Sequence, residues 1–161
     1  MSESPFYNTL TGSLDAKGLK FAVVVSRFNE PVTSKLLDGA KQALKEQGVD
    51  DEDVLIVSCP GAVEIPLICK ELIAKKSVDG IVALGAVIRG ETPHFDCVVN
   101  SVTQGITQLN VDHSTPISFG VITTEDSEQA FARCGGAKGN KGHEAALVAI
   151  EMVNVKKELA L

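Results

Sequence analysis

The sequence predicts an α/β fold, a three-layer sandwich in which a four-stranded parallel sheet is flanked by helices. Two observations point there. Short β-branched runs alternate four times with longer segments of helical periodicity. The runs are also apolar throughout, rather than at every second residue, as strands covered on both faces are.

The first expected strand is KFAVVVS, Lys20 to Ser26. Pro31 follows where a first helical turn belongs, and Leu36, Leu37, Ala40, Ala43 and Leu44 recur at helical spacing until Gly48 ends the pattern. DVLIVSC is the second strand; after it come PGAVEIP and a helix to about Lys76. DGIVALGAVI is the third, and the helix after it carries Phe95, Val98, Val99, Val102, Ile106 and Leu109. PISFGVIT is the fourth, followed by a short helix from about Asp126 to Arg133. A last helix, from about Lys141 to Lys157, has Ala146, Ile150 and Val153 on one face. Residues 1–161 make a single domain, with an extended N-terminal arm over about 1–18 that is polar and turn-rich from Pro5 onward.

Composition excludes several classes. A formal charge of −6 leaves no basic face for a nucleic-acid backbone. No apolar run is long enough to span a bilayer, so no membrane partner is expected. The start, MSESPFYNTL, lacks a charged-then-apolar signal pattern, which makes the cytoplasm the expected location. The cysteines at 59, 69, 97 and 134 have neither C-x-x-C spacing nor a metal-ligand spacing with histidine. They read as reduced thiols in or near the core, with no metal site.

Ligands of an open parallel sheet bind beyond the carboxyl ends of its strands. Those ends are followed here by SRFNE, CPGAVEIP, RGETPHFD and TTEDSEQ, the first three of which hold Arg27, Phe28, Asn29, Glu64, Arg89, Thr92 and His94. RGETPHFD is the most informative. Thr92 and Pro93 form a helix-start signal, Gly90 lets backbone pass close to a ligand, and free N–H groups at a helix start attract an anion. His94 in the first turn is a candidate proton shuttle. From these residues alone, an anion cradle and a plain strand–turn–helix joint are both open. So are two roles for Glu64, binding of hydroxyl groups or complement to a helix dipole.

RCGGAKGNKGHEAA, at 133–146, is not a phosphate-binding P-loop, because Lys141 is followed by Gly142 and a helix precedes the segment. Its three cations, Arg133, Lys138 and Lys141, are compatible with an anionic substrate or with helix capping. His113 and His143 read as structural.

Taken in order, SRFNE, PGAVEIP, ALGAVIRGETPHFD, FGVITTEDSEQAFARCGG and GNKGHEAALVAIEM closely resemble the lumazine synthase family, over roughly Phe21 to Val153. The resemblance implies flavodoxin-like strand order and an enzyme of riboflavin biosynthesis. Its reaction condenses 5-amino-6-(D-ribitylamino)uracil with 3,4-dihydroxy-2-butanone 4-phosphate, giving 6,7-dimethyl-8-ribityllumazine, phosphate and water, with no cofactor.

By position, the resemblance makes Phe28 the aromatic that stacks on the pyrimidine. Gly61, Ala62 and Val63 offer backbone contacts, and Glu64 binds ribityl hydroxyls. Ala86, Val87 and Ile88 line the ring pocket. Glu91 and Thr92 cradle the phosphate, and His94 transfers protons. Phe119, Arg133 and Lys141 match residues supplied by a neighbouring subunit, with Arg133 the phosphate partner. Glu144 matches an acidic position near the histidine.

A homo-oligomer with shared sites follows from the resemblance: a pentamer, and an icosahedral shell because 133–142 lacks the insertion of pentamer-only forms. Riboflavin synthase is a candidate protein partner. Four positions depart from the commonest pattern: Val63 for an aromatic, Glu91 in the cradle, Ala137 for a lysine and Cys97 for a tyrosine. The rival readings are a non-catalytic lumazine- or flavin-binding homologue, which would need no proton shuttle, and an FMN module, which would want a hydroxyl-rich loop where SRFNEP stands.

Overall fold

In the computed structural model, which describes residues 7–161, four parallel strands form the central sheet. They are β1 (Phe21–Ser26), β2 (Val54–Cys59), β3 (Gly80–Ile88) and β4 (Ile117–Thr124), hydrogen-bonded in the order β2-β1-β3-β4. This is the flavodoxin-like order. The chain winds outward from β1 to β2, then returns past β1 to β3, so the strand order reverses between β1 and β3. A crevice opens at such a point beyond the strands' carboxyl ends.

Period-two geometry divides the strand residues between two cores. Phe21, Val23 and Val25 pack with Leu36, Ala40 and Leu44 of α1 (Glu30–Glu46) and with Ala146, Ile150 and Val153 of α5 (Lys141–Leu159). Ala22 and Val24 face the other way, against Ile65, Cys69 and Leu72 of α2 (Ile65–Lys75) and Val102 and Ile106 of α3 (His94–Asp112). Burial on both faces explains the unbroken apolar runs of β1 and β3. By contrast β2, at the sheet edge, is apolar yet leaves Leu55 and Ile56 exposed, against the expectation of a strand covered on both faces.

The short helix α4 (Ser127–Ala132) starts at Asp126, whose carboxylate accepts from Gln129 N at 2.8 Å. Between α4 and α5 the chain makes an antiparallel hairpin that periodicity did not predict, β5 (Cys134–Gly136) with β6 (Gly139–Asn140). Its glycines at 135 and 139 have φ of 110° and 76°, values that side chains with a Cβ rarely adopt.

Of the expected arm, residues up to 6 lie outside the described part. Residues 13–16 lie on the chain's own surface: Asn154 of α5 donates to the carbonyls of Ser13 and Asp15, and Ala16 is fully buried. The cysteines also need one correction. Cys59, Cys69 and Cys134 are buried, but Cys97 is exposed, because the first turn of α3 turns that position to solvent. Burial pushes the Cys69 thiol up to about 12 and raises Cys59 and Cys134. Among the described residues no helix is long and apolar enough to cross a membrane.

Candidate functional site

The rim above β1, β2 and β3 is built by loops tied to one another. Phe28 N–H donates to Pro60 O at 3.0 Å and Arg27 N–H to Cys59 O at 2.8 Å, so the loop after β1 rests on the end of β2. Asn29 takes a left-handed conformation, φ 62° and ψ 45°, which asparagine tolerates better than most residues. Its Nδ2 donates to Ala86 O at 2.9 Å, and its carbonyl accepts from Val32 and Thr33 to open α1. The result leaves the Phe28 ring 72 % exposed above the rim, an apolar face available to a planar ligand.

After β2, residues 60–64 turn through one 3-10 helical turn before Pro66 enters the first turn of α2. Ala62 is buried while Val63 and Glu64 are exposed. A Cβ placed on Gly61 would stand 3.0 Å from Glu64 Oε2, so this carboxylate folds back over its own loop. Ala86 and Val87 are buried in the two cores, and only Ile88 is partly exposed. A ring laid over the end of β3 therefore meets backbone more than side chain.

The loop between β3 and α3 carries Glu91, Thr92 and His94, all exposed. The helix begins at His94, one residue later than Pro93, with Pro93 at φ −64° and ψ 1°. Thr92 Oγ1 accepts from His94 N–H at 3.4 Å, longer than a good cap, and Asp96 N–H closes the turn on Pro93 O at 3.0 Å. Among the described residues no partner takes the N–H groups of Gly90, Glu91 and Thr92. They are three free donors beside an imidazole.

Arg89, which sequence reasoning placed on the rim without a role, is the most heavily engaged side chain here. Its Nε lies 2.7 Å from Glu125 Oε2, its Nη1 3.7 Å from Asp96 Oδ1, and its guanidinium carbon 4.3 Å from the centre of the Phe95 ring. The hydrogen bond to Glu125, then the charges of Glu125 and Asp96, raise the guanidinium's pKa above its ordinary value.

The remaining candidates gather elsewhere. Phe119, Arg133, Lys141 and Glu144 line one open cleft of about 370 Å³ on the flank of β4, together with Ala145 and Val148 of α5. None of the rim residues lines it. Phe119 is paired with Ala83, five residues before the Ile88–Thr124 pair at the rim, on the order of 16 Å along the strand. Phe119 is 45 % exposed on a sheet edge with no further strand. Arg133 Nη1 donates to Gln129 O at 3.0 Å, and Lys141 Nζ meets Glu144 Oε2 at 2.8 Å.

Asn140 holds the flank together. Its Oδ1 accepts from Gly142 N and His143 N to cap α5, and its Nδ2 donates to Lys35 O of α1. Lys141 N–H then donates to Arg133 O at 2.8 Å, which couples the two cations through backbone. A Cβ on Gly142 would run into the Leu36 carbonyl, so α1 and α5 approach at this point as only glycine permits.

One chain thus presents two clusters, a rim and a flank cleft that has no rim residue in its lining and runs down β4 from Thr123 to Ser118. The rim offers an aromatic face, a carboxylate, free N–H donors and an imidazole; the flank offers a second aromatic, a guanidinium and an ion pair. Among the described residues no group of His, Cys, Asp and Glu is placed to hold a metal ion. Asn29 orients the loop beside Phe28, as its place next to that residue suggested, whereas Asn140 was missed as an organiser, although an asparagine preceding a helix is a readable capping signal.

Known proteins agree on where the chain belongs. The family described as 6,7-dimethyl-8-ribityllumazine synthase matches residues 18–157. A protein of that name from Kosmotoga olearia is 52% identical over 148 residues, 92% of this chain and 95% of its own. Its counterpart from Desulfotalea psychrophila is 51% identical over 148 residues, 92% and 96% of the two chains. One from Chlorobium phaeobacteroides is 46% identical over 149 residues, again 92% and 96%.

Proposed function

We propose a division of labour at this site from one premise: the chain belongs to the 6,7-dimethyl-8-ribityllumazine synthase family. Its function is the condensation of 5-amino-6-(D-ribitylamino)uracil with 3,4-dihydroxy-2-butanone 4-phosphate in riboflavin biosynthesis, with release of phosphate and water. An amine attacks the ketone and an imine forms, phosphate is eliminated, and the ring closes. Orientation and proton transfer account for most of such a reaction.

In our reading the rim receives the pyrimidine. Phe28 stacks on the ring, the backbone of Gly61, Ala62, Val63, Ala86, Val87 and Ile88 borders it, and Glu64 accepts from ribityl hydroxyls. The free N–H groups at Glu91 and Thr92 cradle the phosphate of the four-carbon substrate, with the Glu91 side chain turned away. His94 stands beside this cradle for proton transfer.

Phe119, Arg133, Lys141 and Glu144 act on the rim of an adjacent copy. The single observation behind this is the separation of the two clusters within one chain, with Arg133 on the flank and the anion donors on the rim. A guanidinium fork suits a phosphate, and the Lys141–Glu144 pair sets the local charge. Exposed apolar side chains beside each cluster, Val63 and Leu67 near the rim and Phe119, Val148 and Met152 on the flank, support burial between copies.

We take the assembly to be a pentamer, and a closed icosahedral shell of pentamers, in the cytoplasm; light scattering at neutral pH that finds only pentamers refutes the shell. Riboflavin synthase is the candidate protein partner, tested by co-elution of the two purified proteins. The reaction itself is tested by mixing both substrates with purified protein and following lumazine absorbance and phosphate release. No rate above the spontaneous background removes the catalytic reading.

A further inference from the structure

Resting on the phosphate role given to residues 91–94, we propose that Arg89 is a positioning residue, a clamp that holds the β3–α3 loop in the shape that receives the phosphate. The loop has little to fix it from within. Gly90, Glu91 and Thr92 spend none of their N–H groups on the described chain, and the Thr92–His94 contact is long at 3.4 Å. Free donors are what an anion site needs, but they leave the loop's own conformation underdetermined.

Arg89 supplies the missing restraint from both sides. Its backbone N–H donates to Thr124 O at 2.9 Å, which joins the loop's start to the end of β4. Its Nε reaches Glu125 Oε2 at 2.7 Å. That glutamate belongs to a firmly tied turn, because Glu125 N–H donates to Gln129 Oε1 at 2.8 Å and Thr124 Oγ1 to Asp126 O at 2.9 Å. On the far side the guanidinium lies on the Phe95 ring and near Asp96, both in the first turn of α3. One planar side chain therefore spans the β4–α4 turn and the start of α3, with the cradle suspended between them.

A direct role on the phosphate fits this arrangement less well. Two carboxylates and an aromatic face already occupy the guanidinium, and a phosphate would have to displace one of them. The clamp is also distinct from a stabilising ion pair. Arg89, Glu125 and Asp96 keep side-chain exposures of 39 %, 61 % and 59 %, and pairs so exposed contribute little to folding. Its removal disturbs geometry at the cradle more than stability.

The test compares the full-length protein with Arg89→Gln, Glu125→Gln and the double variant, by steady-state kinetics in both substrates, calorimetric titration with inorganic phosphate, and thermal unfolding. In Arg89→Gln the KM for the butanone phosphate and the Kd for phosphate rise about tenfold. The KM for the ribitylaminouracil stays within about twofold and Tm within about 2 °C, the small change of an exposed pair. Glu125→Gln shows the same pattern more weakly, and the double variant is no worse than Arg89→Gln, because both act through one contact.

Unchanged phosphate affinity in Arg89→Gln overturns the clamp, as does an equal loss for both substrates accompanied by a fall in Tm. Fully multiplicative effects in the double variant overturn the coupling to Glu125. Should Arg89→Gln fold poorly, Glu125→Gln carries the comparison. Absence of turnover by the unaltered protein refutes the enzymatic reading instead, and the phosphate titration still decides the clamp.

Discussion

Replacing Arg133 with alanine separates phosphate recognition from everything else at the site. The guanidinium has five N–H donors, and among the described residues only Nη1 is committed, to Gln129 O at 3.0 Å. A fork therefore remains for two phosphate oxygens. Hydrogen bonds to charged groups contribute about 1.5–3 kcal/mol, and each 1.4 kcal/mol is about tenfold in affinity. The KM for the butanone phosphate should rise about 10- to 150-fold in Arg133→Ala. Lys141 lines the same cleft but cannot substitute, since its ammonium lies 2.8 Å from the Glu144 carboxylate. Arg133→Lys should recover only part of the loss, because an ammonium keeps the charge and not the fork. The assay is initial lumazine formation with each substrate varied in turn. An unchanged KM for the butanone phosphate refutes the phosphate assignment, and an equal rise for the ribitylaminouracil shows that cleft shape, not phosphate contact, was lost.

Three further outcomes follow from the same geometry. Glu91→Ala removes a carboxylate beside the anion cradle and lowers the KM for the butanone phosphate at low salt; a raised KM means that this side chain helps bind. Gly142→Ala drives a methyl group into the Leu36 carbonyl and lowers the denaturation midpoint by the equivalent of about 2 kcal/mol, within the range for overpacking, whereas an unchanged midpoint refutes that contact. Glu46 accepts from Gln42 at 2.7 Å and pairs with His143 at 3.3 Å, and the hydrogen bonds from Gln42 and then His143 hold its carboxyl below the usual 4.5. A lowered carboxyl stabilises the fold above its unfolded value and loses that contribution as pH falls through its folded value. Glu46→Gln should therefore unfold at a slightly lower temperature at pH 7, with the gap narrowing as pH falls below 4.5; a gap that widens with acidification contradicts the linkage.

The sheet was legible because its inner strands declare their environment locally, although the equally apolar β2 stands at the edge with Leu55 and Ile56 exposed. FAVVVS is apolar at successive positions only because Ala22 and Val24 enter one core while Phe21, Val23 and Val25 enter the other. The helix start after β3 was readable to within one residue from Thr92 and Pro93. The hairpin at 134–140 was not, since its conformation depends on positive φ at glycines and not on any apolar period. Arg89 was visible as a cation on the rim, but its partner Glu125 stands 36 residues away and becomes adjacent only when β4 pairs with β3. For Phe119, Arg133 and Lys141, spacing alone could not say which copy's rim they would serve. The family resemblance supplied the neighbouring subunit, and the position of these residues on the flank of β4 supports it.

Subunit complementation addresses the shared site most directly. Phe28→Ala disables the rim and Arg133→Ala disables the flank, so each variant alone is slow when both substrates are below KM. Unfolded together in equal amounts and reassembled, the two chains meet at random around a head-to-tail ring. Each site then has one chance in four of joining an intact rim to an intact flank, and activity should recover to about a quarter of the unaltered protein's. Recovery no greater than the average of the two variants measured separately would place both clusters in one chain's site and contradict the division between copies.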